Sequence, residues 1–76
     1  MHISLSRLPT GISATVSQVE CDIKLRCRLR DFGLIPGTVV TVRYRSPCGG
    51  VTALECRGAV IALRTKDLRK IKVMLQ

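Results

Sequence analysis

Residues 38–64 read TVVTVRYRSPCGGVTALECRGAVIALR, and the fold turns on how that stretch divides. Val40, Val42 and Tyr44 alternate with Thr41, Arg43 and Arg45, the period of two that marks a half-buried strand over Thr38 to Arg45. Ser46-Pro47-Cys48-Gly49-Gly50 breaks the run as a hairpin loop. Thr52, Leu54 and Cys56 then line the inner face of a second strand. Arg57-Gly58 allows a bend or bulge, and Ala59, Ile61 and Leu63 form a third inward set. Three short strands joined by tight turns place the chain among small β-rich folds.

Working outward, Pro36-Gly37 signals a turn, because Pro presets the first central dihedral and Gly accepts the positive φ of a type II turn. Before it the period changes. Asp22 stands as an N-cap, Leu25, Leu29 and Phe32 recur at helical spacing as the core stripe, and Gly33 is the left-handed terminator. A helix over residues 22–32 follows, with Ile23 and Cys27 almost opposite the stripe and Lys24, Arg26, Arg28 and Arg30 around the sides. Leu34 and Ile35 are expected to pack beneath the turn. Further back, Ile12, Ala14 and Val16 point one way and Ser13, Thr15 and Ser17 the other, which is the first strand after a short lead-in ending at Pro9-Thr10-Gly11. At the other end Thr65 is placed to cap one helical turn from Lys66 to Lys70, and Ile71, Val73 and Leu75 close the chain as a last strand. The expectation is a mainly β fold. It is a partly open barrel of about five strands, with one helix after the first strand and a short helical turn before the last, forming a single domain over residues 1–76.

A chain of 76 residues buries only about 60% of its unfolded surface, so the core holds about a dozen side chains and leaves little room for a deep pocket. That argues against an enzyme. The single His is near the terminus, no Ser–His–acid constellation is visible, and no Gly-rich phosphate loop leads into a helix. Thirteen Lys and Arg against five Asp and Glu give a net charge of +8, a field that attracts nucleic acid, an anionic membrane surface or an acidic protein. The longest purely apolar run, Ala59 to Leu63, is far below the roughly 18 residues of a membrane span. The amino-terminal Met-His-Ile-Ser-Leu-Ser-Arg shows no signal-peptide pattern, so a cytoplasmic location is expected. Cys21, Cys27, Cys48 and Cys56 contain no Cys-x-x-Cys pair and read as free thiols of a reducing compartment.

The order of these residues resembles the FeoA family, small accessory proteins of bacterial ferrous iron uptake. The resemblance is carried by Leu8 and Gly11, by Ile12, Ala14 and Val16, by Arg28-Leu29 with Asp31-Phe32-Gly33-Leu34, and by Pro36-Gly37-Thr38. It continues through Val40 and Val42, Pro47 and Gly49, Arg57-Gly58 and Ala62-Leu63-Arg64, so that it runs from about Leu5 to Val73. It implies an SH3-like barrel, no enzymatic activity, and a place beside FeoB, the membrane iron transporter with a cytosolic GTP-binding domain. The same module resembles the carboxy-terminal domain of iron-dependent repressors. Cys27, in a stretch that is often all Arg and Leu in the family the chain resembles, and an excess of base above the family norm are departures from the pattern.

Two readings of the helix compete. One is a solvated basic face; the other is a docking surface with a small apolar centre and a charged rim. The residues of the second are Ile23, Lys24, Arg26, Cys27 and Arg30, joined by Leu34 and Pro36 of the following turn. No cofactor is expected. The candidate ligands for a transition metal are Cys21, Cys27 and Asp22, with His2 and Cys48, although the cysteine spacings miss the usual structural zinc arrangement. Cys56 alternates into the core with Leu54. Alternatives to transporter docking are a basic nucleic-acid-binding barrel, opposed by the scarcity of aromatic rings, and an iron or transition-metal sensor.

Overall fold

The computed structural model describes residues 2–20 and 22–75. In chain order these form β1 (His2–Ser4), a single 3-10 turn (Leu5–Arg7), β2 (Ser13–Val19), α1 (Ile23–Asp31) and β3 (Val39–Arg45). β4 (Val51–Cys56), β5 (Ala59–Arg64), α2 (Thr65–Leu68) and β6 (Ile71–Leu75) follow. The strands make one antiparallel sheet in the order β1-β6-β2-β3-β4-β5, with β1 and β5 at its two edges. One cluster gathers Ala14 and Val16 of β2, Val40 and Val42 of β3, Leu54 and Cys56 of β4, and Ile71 and Val73 of β6. A single sheet can bury residues from opposite ends in one cluster only by curling over itself, which gives the open barrel. Leu5, Leu8 and Leu68, from the 3-10 turn, the residue after it and α2, are buried in the same cluster, as are Leu29 and Leu34. No helix of the described residues is long and apolar enough to cross a membrane.

The six strands exceed the expected five because β1 has three residues, too few to show a period, and it is held by long-range pairing of His2, Ile3 and Ser4 with Met74, Val73 and Lys72. Tyr44 does not share the inner face of Val40 and Val42. Pairing runs from Val42 with Leu54 directly to Tyr44 with Ala53, so one extra residue sits in β3 and the alternation inverts after Val42. Tyr44 is 58% exposed as a result, while the Arg45 guanidinium turns back and donates to the Ser6 carbonyl at 2.9 Å. Ile12 lies outside β2, in a turn closed by its N–H on the Pro9 carbonyl, and is exposed. Thr65 begins α2 instead of capping it, and its hydroxyl meets that of buried Thr52 at 3.1 Å. Leu75 and Ala59, expected inside, lie near strand ends and are exposed.

The end of α1 departs most from expectation. Phe32 is 43% exposed although it completes the Leu25–Leu29 stripe. The helix closes in a Schellman reversal: the Leu34 N–H bonds the Leu29 carbonyl at 2.8 Å and the Gly33 N–H bonds the Arg30 carbonyl at 2.9 Å. That reversal carries Leu34 beneath Leu29, and both are buried. Leu34 thereby takes the place that continued helical periodicity assigns to Phe32. Ile35, one residue on, faces outward.

Gly33 has φ +87, and a Cβ there meets Arg57 Cδ at 2.8 Å. Arg57, itself at φ 54, and Gly58, at φ 83, form the two-residue turn between β4 and β5. The Asp31-Phe32-Gly33-Leu34 and Arg57-Gly58 motifs are therefore one contact, with the arginine stem lying on the glycine. We expect Gly33→Ala to cost about 1–2 kcal/mol from the left-handed backbone alone, lowering the melting temperature by about 4–16 °C. Gly49→Ala, at φ +76 with open space around it, measures the backbone share without the clash. Equal melting shifts for the two variants contradict the Arg57 contact.

Candidate docking surface on helix α1

α1 begins where the Asp22 carboxylate accepts the Leu25 N–H at 2.9 Å, satisfying a donor the first turn leaves free. Leu29 is its single fully buried residue, with Leu25 partly buried against the same core, so the helix seats one flank on the barrel and leaves the opposite flank exposed. Ile23 is 76% exposed, and Cys27 one turn on is an exposed free thiol. At about 100° per residue, Arg30 and Arg26 lie on this same face and Lys24 beside it. All three are exposed. The face is an apolar centre of Ile23 and Cys27 inside a rim of cations, as the sequence places it.

The rim is electrostatically uncompensated. Among the described residues the one ion pair is Arg43 with Glu55 at 3.4 Å, on the sheet, so Lys24, Arg26, Arg28 and Arg30 have no carboxylate of a described residue within 4.0 Å. Arg28 and Arg30 in the last turn favour the helix itself, because cations there oppose its macrodipole. They remain available to an anion brought by a partner.

Arg26 does more than line the rim. Its guanidinium donates to the Val19 carbonyl at 3.2 Å, tying α1 to the end of β2. Pro36 reaches the same place from the other side. The Gly37 N–H bonds the Val16 carbonyl at 2.7 Å and the Val16 N–H bonds the Thr38 carbonyl at 2.8 Å, strapping the Pro36-Gly37 turn onto β2. Together Arg26, Pro36, Ser17, Gln18 and Val19 line an open groove of about 330 Å³ beside the helix. The sequence missed Ser17, Gln18 and Val19. They enter through a break in the β2–β6 register between Val16 and Gln18, which the strict alternation of residues 12–17 conceals. Leu34, expected on this surface, is 1% exposed and contributes packing instead.

The metal candidates separate. Among the described residues no three His, Cys, Asp or Glu side chains gather where they could hold an ion. The Asp22 carboxylate is engaged in capping, Cys27 stands on α1, Cys48 lies at the exposed β3–β4 loop, and the His2 ring meets the Ser17 hydroxyl at 2.9 Å. Cys21 lies outside the described residues. Burial pushes the Cys56 thiol above its ordinary pKa, with the Arg57 charge opposing in part. Its sulfur lies 3.8 Å from the Phe32 carbonyl, so it is a packed thiol of low reactivity.

Comparison with known proteins adds the family. The solution structure of the FeoA protein from Chlorobium tepidum superposes with a TM-score of 0.92 at 30% identity, covering 96% of this chain and 70% of that one. Iron(II) transport protein A from Clostridium thermocellum gives 0.91 at 26% identity over 96% of this chain, which spans 45% of that protein. A manganese-dependent transcriptional repressor gives 0.89 at 17% identity over 99% of this chain and 42% of its own, a likeness of fold alone. No curated sequence matches. The FeoA domain pattern is met continuously over residues 3–75, and the chain belongs to the FeoA domain family.

Proposed function

We propose that the chain serves ferrous iron transport as a cytoplasmic accessory module that docks onto the cytosolic region of the membrane iron transporter FeoB. The outer face of α1 is the contact. Family membership and likeness to a protein named for iron(II) transport support the setting. The observation that carries the mode of action is Ile23, a large aliphatic side chain left 76% in water within a ring of cations that form no ion pair among the described residues. Interfaces are built with an apolar centre excluded from water by a polar rim. The rim arginines supply forked hydrogen bonds to partner carboxylates, and the net charge of +8 draws the domain toward the anionic inner leaflet where a transporter sits. The work is binding, not catalysis.

A nucleic-acid role is the weaker reading, because single-strand binders stack successive bases on rows of rings and this chain has only Phe32 and Tyr44. The test is association of the chain with the transporter's purified cytosolic region at about 50 mM and about 500 mM salt, where the screening length is about 14 Å and about 4 Å. Binding at low salt that weakens at high salt supports docking through the rim. No association at low salt overturns it.

A further inference from the structure

The two edges of the sheet are treated differently. β1 is three residues long, a short edge of the kind that offers little template for pairing. β5 is six residues long, reads Ala-Val-Ile-Ala-Leu-Arg, and among the described residues pairs with β4 alone. It has no proline or lysine, Val60 is 63% exposed, and no bulge interrupts its register with β4. A long, apolar, regular edge is what soluble proteins avoid unless it is used.

The geometry states which backbone groups are free. Arg57 and Gly58 both have positive φ, a two-residue type I′ turn, so Cys56 and Ala59 exchange both their hydrogen bonds. Alternation along an antiparallel ladder then makes Leu54 with Ile61 and Thr52 with Leu63 the bonded pairs. Val60, Ala62 and Arg64 therefore turn their N–H and C=O groups away from β4, toward the free edge.

Beside that edge lies a groove of about 230 Å³ between β5 and the inner flank of α1. Leu25, Leu29 and Phe32 supply its apolar wall, and Arg28 and Arg64 outnumber Asp67 among its charges. The space is below the roughly 300 Å³ at which small-molecule sites begin and suits a side chain or two. The groove is separate from the docking face, since Leu25 and Leu29 lie about opposite Ile23 on the helix.

We propose that the β5 edge and this groove receive an extended peptide segment of alternating acidic and apolar residues, which adds antiparallel to β5 as a further strand. Its backbone bonds Val60, Ala62 and Arg64, an apolar side chain enters against Leu25 and Phe32, and its carboxylates meet Arg28 and Arg64. Charge selects this occupant over a second copy of the chain. Two chains of +8 repel, and pairing β5 with β5 sets no acid against Arg64.

The experiment titrates the intact, isotope-labelled chain with a blocked seven-residue peptide of alternating glutamate and valine, read by NMR amide shifts. Expected are shifts concentrated at Val60, Ala62, Arg64 and Phe32. An Arg28→Glu/Arg64→Glu variant, altered only at exposed positions, should weaken binding by about tenfold or more. A peptide N-methylated at alternate residues keeps its charge but loses the edge bonds, and should also weaken by about tenfold. Equal affinity of the methylated peptide, shifts centred on Ile23 and Cys27, or no binding at millimolar peptide overturns the proposal. So does a concentration-dependent dimer in sedimentation, which assigns the edge to a second copy.

Discussion

Leu29→Ala is expected to remove about 3 kcal/mol of stability, within the range for truncating a fully buried leucine. A domain of this size has roughly 4–11 kcal/mol in total, so the loss lowers the melting temperature by about 12–24 °C. The reason is positional. Leu29 is the one buried residue of α1, its carbonyl accepts the Leu34 N–H that closes the helix, and Leu34 packs in the same cluster. Truncation opens a cavity where the helix is most deeply seated on the barrel, beside the partly buried Leu25. Phe32→Ala removes a larger side chain three residues on, yet costs about 1 kcal/mol, because much of that ring is already in water. Thermal denaturation of the two variants side by side checks the ranking. A larger drop for Phe32→Ala contradicts the Schellman reversal that exchanges Phe32 for Leu34.

Arg26→Glu/Arg30→Glu is expected to weaken docking to the transporter's cytosolic region by about a hundredfold at low salt, near 3 kcal/mol, because like charges then face each other across the rim. Both residues are exposed and neither lies in an ion pair among the described residues. Folding stability should fall by about 1–2 kcal/mol, from the lost Arg26 bond to the Val19 carbonyl and from an anion placed in the last turn of α1. The salt dependence should invert, since screening relieves repulsion where it formerly weakened attraction. Isothermal titration at two salt concentrations, paired with a melting curve, separates this outcome from misfolding. Unchanged affinity in a folded variant removes the α1 rim from the interface.

Much of the barrel was legible because burial imposes a period of two wherever a strand is regular. Val40 with Val42, Thr52 with Leu54 and Cys56, and Ile71 with Val73 all lie inside as their alternation predicts. Legibility failed where backbone geometry overrides period. The bulge before Tyr44 costs one residue and inverts every later side chain on β3, and no residue type there announces it. The exposure of Phe32 follows from a hydrogen-bonded reversal that Gly33 permits but does not by itself require. β1 depends on contact with β6 some seventy residues away, beyond any local pattern. The outer face of α1 was readable because a helix wheel needs only the chain, and Ile23, Lys24, Arg26, Cys27 and Arg30 lie on the surface where the wheel puts them. The groove partners Ser17, Gln18 and Val19 are brought to Arg26 by tertiary strapping of the Pro36-Gly37 turn, which only coordinates reveal.

The most direct test of docking through α1 is amide-shift mapping of the labelled chain on adding the transporter's cytosolic region. Shifts gathered on Ile23 to Arg30, Gly37 and Ser17 to Val19 are the predicted result. Shifts confined to the outer sheet around Tyr44 and Ala53, with α1 unmoved, contradict it.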